Sequence, residues 1–466
     1  MVIGILVSLV LLMLIAYRGL SVILFAPFCA MLAALTAGYD VLPMYSEIFM
    51  SSAGAYVKNF FPLFMLGAVF GKVMEDSGMA RSIAKWVVLK LGPSRAILAI
   101  ILASTLLAYG GVSMFVIAFA VYPFANSLFM ESGTPRRLIP GCIALGAFAC
   151  TMTALPGSPQ IQNLIPTKYF GTDAYAAPGF GITGAILIYG LSLLWLEWHK
   201  RKMLAAGEGY GRPDTRHAAP TIENDIPDVN AGLAFLPLLV VLVLNFVLTQ
   251  VFKTWDPSVM AVAAKYPLAS ATVPGPTWAL IVALIVGTIL AVVISNRQFR
   301  VRRNLVAAIN GGTIGSLLAI MNTASETGYG NIVSSLPGFA AVRDFLMGIG
   351  GGHPLFSEAI MVNILAGISG SASGGMSIAL EAMGSHFMEI AQQAGIDPGM
   401  LHRVAAMASG GLDTLPHNGA VITLLAICGL SHKESYPDIC MTSVIIPIVV
   451  VFALIPVWDI LGFSLV

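Results

Sequence analysis

Two short polar stretches interrupt long apolar runs, and both hold residue types that bind an anion without a cationic side chain. The first is Thr153-Ala154-Leu155-Pro156-Gly157-Ser158-Pro159-Gln160. The second is Asp413-Thr414-Leu415-Pro416-His417-Asn418-Gly419-Ala420. Proline lacks an amide hydrogen and clashes with the preceding turn, so each stretch breaks a helix. A half-helix that starts after such a break aims free amides and the positive end of its dipole at whatever lies in front of it. The hydroxyls of Thr153, Ser158 and Thr414 and the carboxamides of Gln160, Asn163 and Asn418 surround these starts. Neither stretch contains Lys or Arg, so an anion is held here by neutral donors, which favours a small monoanion.

A second pair of polar interruptions has the same character. Gly110-Gly111-Val112-Ser113 splits one apolar run, and Ser369 to Gly375 splits another, with Ser373, Gly374 and Gly375 at its end and Ser377 just beyond. Glycine lets a ligand approach the backbone closely. Ser113, Ser158, Ser377 and Asn418 suit helix caps that also touch a ligand. The plainer alternative is that the small residues only let helices pack closely, as they do in membranes. Gln160 and Asn163 are the weaker candidates, since either also serves simply to satisfy backbone at a break.

Proton chemistry points to Asp413, whose counterpart Thr153 cannot titrate, and then to Glu381. A carboxyl in apolar surroundings is expensive unless paired or protonated. An N-cap role beside Thr414 accounts for Asp413 without transport chemistry, and a surface position does so for Glu381. Glu326 and Glu358 are similar. His417 contacts the ligand, tunes Asp413, or is structural.

The elements that carry these residues are membrane helices. The chain is 57% hydrophobic and 10% charged, with mean hydropathy +0.86, against roughly 25% charge in soluble domains. This is an all-α polytopic membrane protein. A net charge of +1 argues against a nucleic-acid partner. Five cysteines without a CxxC pair give no disulfide or zinc framework, and no metal or organic cofactor is expected. The first apolar segment has no basic leader or evident cleavage site and reads as a retained helix.

In order, the pattern predicts spans at 2–17, 21–38 and 59–75, with an interfacial stretch at 39–58. An amphipathic surface helix follows at 77–95, then a hairpin at 96–130, a broken helix at 138–168 and a span at 176–198. Residues 203–230 form a polar cytoplasmic linker. Spans at 231–252, 277–296 and 305–323 lead to a second hairpin at 355–394, a second broken helix at 403–431 and a last span at 437–461. The arm before Gly110-Gly111 rises only about 20 Å against a hydrocarbon core of about 30 Å, so a re-entrant hairpin fits better than a span.

Three landmarks recur in order: Asp76-Ser77-Gly78 with Glu326-Thr327-Gly328, Gly110-Gly111-Val112-Ser113 with Gly374-Gly375-Met376-Ser377, and Leu155-Pro156 with Leu415-Pro416. They point to two repeats, residues 1–202 and 231–466. Each repeat crosses an odd number of times, so the two are inverted, a secondary-transporter signature. The expected architecture has about ten transmembrane helices, two of them broken, plus two re-entrant hairpins. Placing most of the 24 Lys and Arg inside puts both termini outside. Arg403 then falls among the few outside charges.

At these motifs the chain resembles the gluconate permease family of proton symporters. The likeness spans nearly the whole chain. It is sharpest in Tyr109-Gly-Gly-Val-Ser113-Met-Phe-Val, in Thr151-Met-Thr-Ala-Leu-Pro-Gly-Ser-Pro-Gln-Ile-Gln-Asn163 and in Gly411-Leu-Asp-Thr-Leu-Pro-His-Asn-Gly419. The run through Asn163 is similar to the D-beta-hydroxybutyrate permease branch. The resemblance implies uptake of a small hydroxy-monocarboxylate, D-3-hydroxybutyrate or a gluconate-like sugar acid, with a proton. It also implies an ion-transporter-superfamily elevator in a bacterial inner membrane, working as a homo-oligomer, a dimer, with the lipid bilayer and the organic anion as its partners. A sodium-coupled carboxylate symporter is the nearest alternative, since hydroxyls and carbonyls at an unwound helix also suit sodium. An intramembrane serine protease built on Gly370-Ser371-Ala372-Ser373-Gly374 is remote, because a Ser/His dyad leaves the twofold pattern unexplained. A passive channel lacks a charged ring. No enzymatic activity is expected.

Overall fold

A computed structural model describes residues 2–18, 20–211, 229–253, 275–302, 304–349, 353–416 and 418–461. Among the described residues the chain is helical throughout, without a strand. Six helices are long and apolar enough to cross a membrane: Val41–Asp76, Pro178–Ala205, Ala231–Phe252, Thr277–Ile294, Leu305–Ser335 and His432–Ile460. Shorter apolar helices, among them Val22–Thr36, Pro354–Ser369 and Gly419–Cys428, lie between them.

Two expected boundaries move. The stretch 39–58 is not a separate interfacial segment. It is the first half of the helical run Val41–Asp76, which includes a π-helical turn at Met44–Phe49. Scattered Ser, Glu and Lys hid this run, but Phe49, Tyr56 and Phe60 are buried and hold the helix against its neighbours. The span expected at 305–323 likewise continues to Ser335. These two long helices pack lengthwise and antiparallel, because small residues bring their backbones together. A methyl on Gly312 would meet Val69 Cα at 2.6 Å, and one on Gly328 would meet Phe49 O at 2.9 Å.

The amphipathic helix Met79–Leu91 turns by 101° into Pro93–Tyr109. Gly92, at φ +70°, supplies the left-handed turn and Pro93 prevents the helix from continuing. Two helix hairpins follow the expected order. Ala96–Tyr109 packs on Met114–Glu131, and Pro354–Ser369 on Ala372–Gln393. The first broken helix has Ile139–Ala144 and a π-helical turn, Leu145–Ala149, on one side. Ile161–Asn163 and Ile165–Phe170 follow the break. The second has Pro398–Ser409, the short turn Leu412–Thr414, and Gly419–Cys428.

The repeat landmarks hold at one place and fail at two. Leu155-Pro156 and Leu415-Pro416 both lie in breaks. Asp76-Ser77-Gly78 ends a helix, with Gly78 at φ +79°, whereas Glu326-Thr327-Gly328 lies inside a continuous one. Gly110 to Ser113 is a non-helical tip, but Gly374 to Ser377 is helical. The turn glycine of the second hairpin is Gly370, at φ +65°, standing where Gly111 (φ +87°) stands in the first. In both hairpins the next amide reaches back to the same helical carbonyl, Val112 to Leu107 at 3.1 Å and Ser371 to Ala366 at 3.2 Å. The repeated Gly-Gly-x-Ser string is therefore a coincidence of register. Most of the polar linker, residues 212–228, lies outside the described residues, as does the loop 254–274.

Candidate functional site

The first break is tied shut by the second half of the chain. Arg403, on Pro398–Ser409, is fully buried and sits inside the fold rather than at an outer surface. Its Nε donates to Ala176 O (3.1 Å) and its Nη2 to Ala174 O (3.2 Å) and Ala176 O (2.9 Å). Its Nη1 donates to Thr153 O (3.4 Å) and to Asn163 Oδ1 (2.8 Å). Asn163 is also fully buried, and its Nδ2 donates to Ser158 O and Ala174 O, both at 2.9 Å. The adjacent His402 links Thr172 and Asn163 through its two ring nitrogens. A guanidinium offers five donors in a rigid fork, and here they are spent on carbonyls that the broken helix leaves open. Sequence reasoning missed Arg403 and His402. The signal was present: a lone basic pair inside the apolar run 398–411 needs buried partners.

The same break docks on the tip of the first hairpin. Tyr109 donates its hydroxyl to Pro156 O (2.8 Å), and Gln160 Nε2 donates to Ala108 O (2.8 Å). Gly111 faces Pro159. Thr153 donates to Ala149 O (2.5 Å), and the amide of Gln160 donates to Ser158 Oγ (3.4 Å). Thr153, Gln160 and Asn163 thus bond backbone carbonyls, a role weighed in the sequence for Gln160 and Asn163 but not for Thr153. Ser113 precedes Met114–Glu131, and its side chain makes no capping bond to that helix start.

The second break docks on the second hairpin through Asn418. Its Oδ1 accepts from the amides of Ala420 (2.6 Å) and Val421 (3.1 Å), capping Gly419–Cys428. Its Nδ2 donates to Gly370 O and Asp413 O, both at 2.9 Å. Thr414 donates to Ser443 O (3.3 Å). Asp413 keeps one buried carboxylate oxygen, Oδ1, without a hydrogen-bond partner. His417 lies outside the described residues. The two breaks are neighbours, since a methyl on Gly410 would meet Thr153 Cγ2 at 2.7 Å.

The remaining expected residues sit elsewhere. Glu381 accepts from Tyr169 (2.6 Å) and pairs with Lys168 (3.3 Å), so its charge is compensated across the two halves. The helix Ala372–Gln393 starts four residues earlier than its Gly-Gly pair would suggest, because Ser371 caps it by accepting from Gly374 N (3.1 Å). Ser373, Gly374, Gly375 and Ser377 therefore lie in the first turns of that helix. A methyl on Gly375 would overlap the Ala366 backbone, and one on Gly374 would overlap the Glu326 carboxyl. These glycines allow close packing.

Ser113 and Ser377 do not meet. The first tip touches Gly71, whereas Ser377 lies beside Tyr56, and the two positions are about 22 Å apart along one helix. No group of three or more His, Cys, Asp or Glu capable of holding a metal is present among the described residues.

No family model matches the chain. The uncharacterized transporter YxjC of Bacillus subtilis strain 168 is 46% identical over 473 residues, spanning 98% of each protein. The crystal structure of the Alcanivorax borkumensis YdaH transporter, described as having an unusual topology, aligns over 89% of each chain with a TM-score of 0.51 and 16% identity. At that identity the likeness shows the fold alone. The multi-pass helical fold and the near full-length identity to YxjC lead to one conclusion: this chain belongs to the same family of membrane transporters as YxjC.

Proposed function

We propose that the protein takes up a small hydroxy-monocarboxylate by proton symport. One observation carries the reading: each broken helix docks on the hairpin tip of its own half, and the single cation at a break, Arg403, has its donors taken by carbonyls. What remains for an anion is neutral, namely the helix start after Ser113, which Ser113 leaves uncapped, the Ser158 hydroxyl, and the backbone amides around Gly110, Gly111, Thr414, His417 and Asn418. Such a set suits one carboxylate and a few hydroxyls better than a multiply charged ligand. The resemblance to gluconate and D-beta-hydroxybutyrate permeases supplies the substrate class.

In this reading residues 1–202 and 231–466 are inverted repeats joined by a cytoplasmic linker at 203–230. Hairpins and broken helices move as an elevator against the long helices, in a bacterial inner membrane with both termini outside. Residues 2–38 and 231–296 contribute to a homodimer interface; Ile3, Leu6, Val10 and Val243 are exposed apolar side chains on those segments. Asp413 is the coupling carboxyl. It sits at the break with an unpaired buried oxygen, and by reciprocity a carboxyl that prefers its proton when the anion is bound makes the proton favour the anion.

Reconstituted protein tests this. An imposed inward proton gradient is expected to accumulate D-3-hydroxybutyrate or gluconate, and Asp413→Asn to lower accumulation roughly tenfold more than it lowers exchange. Accumulation that follows a sodium gradient and ignores the proton gradient would overturn proton coupling. Uptake of none of these acids would overturn the substrate class.

A further inference from the structure

A buried carboxyl, Glu326, stands at the contact between the long helices and the second hairpin, and a second one, Glu358, is buried on the hairpin's first arm with both oxygens unpartnered. Glu326 is 2% exposed, and its Oε2 has no hydrogen-bond partner. The carboxyl faces the first turn of Ala372–Gln393, where Gly374 leaves the only room for it. Two more buried oxygens lie in the same place, the Tyr56 hydroxyl and Ser377 Oγ, close to each other and to Thr323 but without a hydrogen bond of good geometry. Tyr56 belongs to Met50–Asp76, Ser377 to the hairpin and Glu326 to Leu305–Ser335, so the cluster joins three elements.

No charge on those elements compensates the carboxyl. Lys72 pairs with Glu75 and Asp76, Glu381 with Lys168, His386 with Glu389, and Arg343 with Asp344. Glu47 and Lys58 are exposed, Cys29 lies beside Tyr329, Glu358 is buried on the hairpin's other arm, and among the described residues Tyr56 is the titratable group that reaches Glu326. An ionised carboxylate held there without a cation is costly, and a neutral carboxylic acid is not.

The cluster also has a way in. Ser371 and Ser373, both half-buried at the hairpin tip, are 3.4 Å apart. Ser373 is 3.4 Å from Thr323, which lies three residues before Glu326 on one helix face. This row of hydroxyls begins beside Gly370, whose carbonyl holds Asn418 of the second break.

We propose that Glu326, with Tyr56, Thr323, Ser373 and Ser377 around it, is a proton-binding site of the transport cycle, reached through the hydroxyls of the second hairpin tip. The proposal deepens the symport reading and rests on it for the word transport. In the arrangement seen here the carboxyl carries a proton and donates it to a neighbouring hydroxyl oxygen. Each serine or threonine along the row accepts one proton and passes one on, so the net change is one proton gained or lost at Glu326. Loss of that proton leaves a charge between the long helices and the hairpin, which favours an arrangement that opens the contact to water. The interface would then move freely only when Glu326 is neutral.

Infrared difference spectroscopy on the purified full chain tests the site without a substrate. At neutral pH one carbonyl-stretch band of a buried protonated acid is expected to be absent in Glu326→Gln, retained in Asp413→Asn and Glu358→Gln, which identify the bands of the other two buried acids, and shifted in Tyr56→Phe and Ser377→Ala. In proteoliposomes Glu326→Gln is expected to lower proton-driven accumulation at least tenfold more than exchange. Persistence of the band in Glu326→Gln would overturn the proposal. So would its replacement by a sodium-dependent change, or accumulation in Glu326→Gln with the pH dependence of the unaltered protein. Should Glu326→Gln not fold, the Tyr56→Phe and Ser377→Ala spectra decide, and a band unmoved in both refutes the site. Should the unaltered protein transport no hydroxy acid, the symport reading falls while the infrared result still stands for or against Glu326.

Discussion

The two breaks share a Leu-Pro pair and a dock on a hairpin tip, yet they differ in which groups hold them and in the kind of oxygen left without a partner. In the first, Arg403, Asn163, Gln160 and Tyr109 hold the open carbonyls. In the second, Asn418 caps and bridges, Tyr436 donates to Thr414 O (3.2 Å), His432 Nε2 lies 2.9 Å from Pro416 O, and Asp413 keeps a buried oxygen unpaired. On the second hairpin and the helix against it Ser377, Glu326 and Glu358 keep buried oxygens without partners, two of them carboxyls, whereas the first hairpin leaves only a hydroxyl, Ser104, among the described residues. The difference teaches that a duplicated geometry need not duplicate chemistry. The first break leaves a neutral carboxamide oxygen, Gln162 Oε1, without a partner, whereas the second leaves a carboxylate oxygen, Asp413 Oδ1, whose demand a proton can meet.

Removing the brace of the first break has the largest expected effect. Arg403→Met leaves the carbonyls of Thr153, Ala174 and Ala176 and the Asn163 Oδ1 without their charged donor, at a cost of about 3–4 kcal/mol. Thermal unfolding in detergent would show it. Arg403→Lys is expected to recover little, because an ammonium cannot span four separated acceptors. Near-normal stability in either variant would remove the contrast between the breaks.

Next comes the crowding peculiar to the second hairpin. Gly375→Ala drives a methyl into the Ala366 backbone, with an expected loss of about 1–3 kcal/mol. The Gly71→Ala change near the first tip, whose methyl would meet Ser113 N at 3.4 Å, is expected to be milder, and the two melting temperatures check the order.

Asn418→Ala removes a helix cap and the bond to Gly370, and costs about 1–2 kcal/mol. Faster hydrogen exchange should be confined to Gly419–Cys428 and the second tip; exchange spread equally to the first tip would mean that the docks are not separate. The smallest effect is expected at the partly exposed pair of Lys168 with Glu381, where Lys168→Met shifts stability by less than about 1 kcal/mol. A larger loss would return Glu381 to the coupling candidates.

Much of this was legible from residues in a row. Composition, proline position and glycine-serine clusters act through the local chain and the membrane, so helices, breaks and hairpins fell close to their expected places. Asn418 as a cap follows from the same local rules. The helix start at Ala372 did not, because Ser371 and Ser377 each offer a serine near glycines, and only packing against Ala366 and Glu326 selects between them.

The amino-acid sequence by itself determined the class of molecule, the order of its elements and the two places where helices break. Hydropathy and backbone chemistry act within a few residues and need no partner. Only the tertiary structure decided which polar groups are satisfied. Arg403 looked like a surface charge until the loop carrying Ala174 and Ala176 closed around it. Glu326 looked like one acid among several until three helices enclosed it without a cation. Whether a buried group is paid for or left wanting depends on residues hundreds of positions away, and no local pattern encodes that.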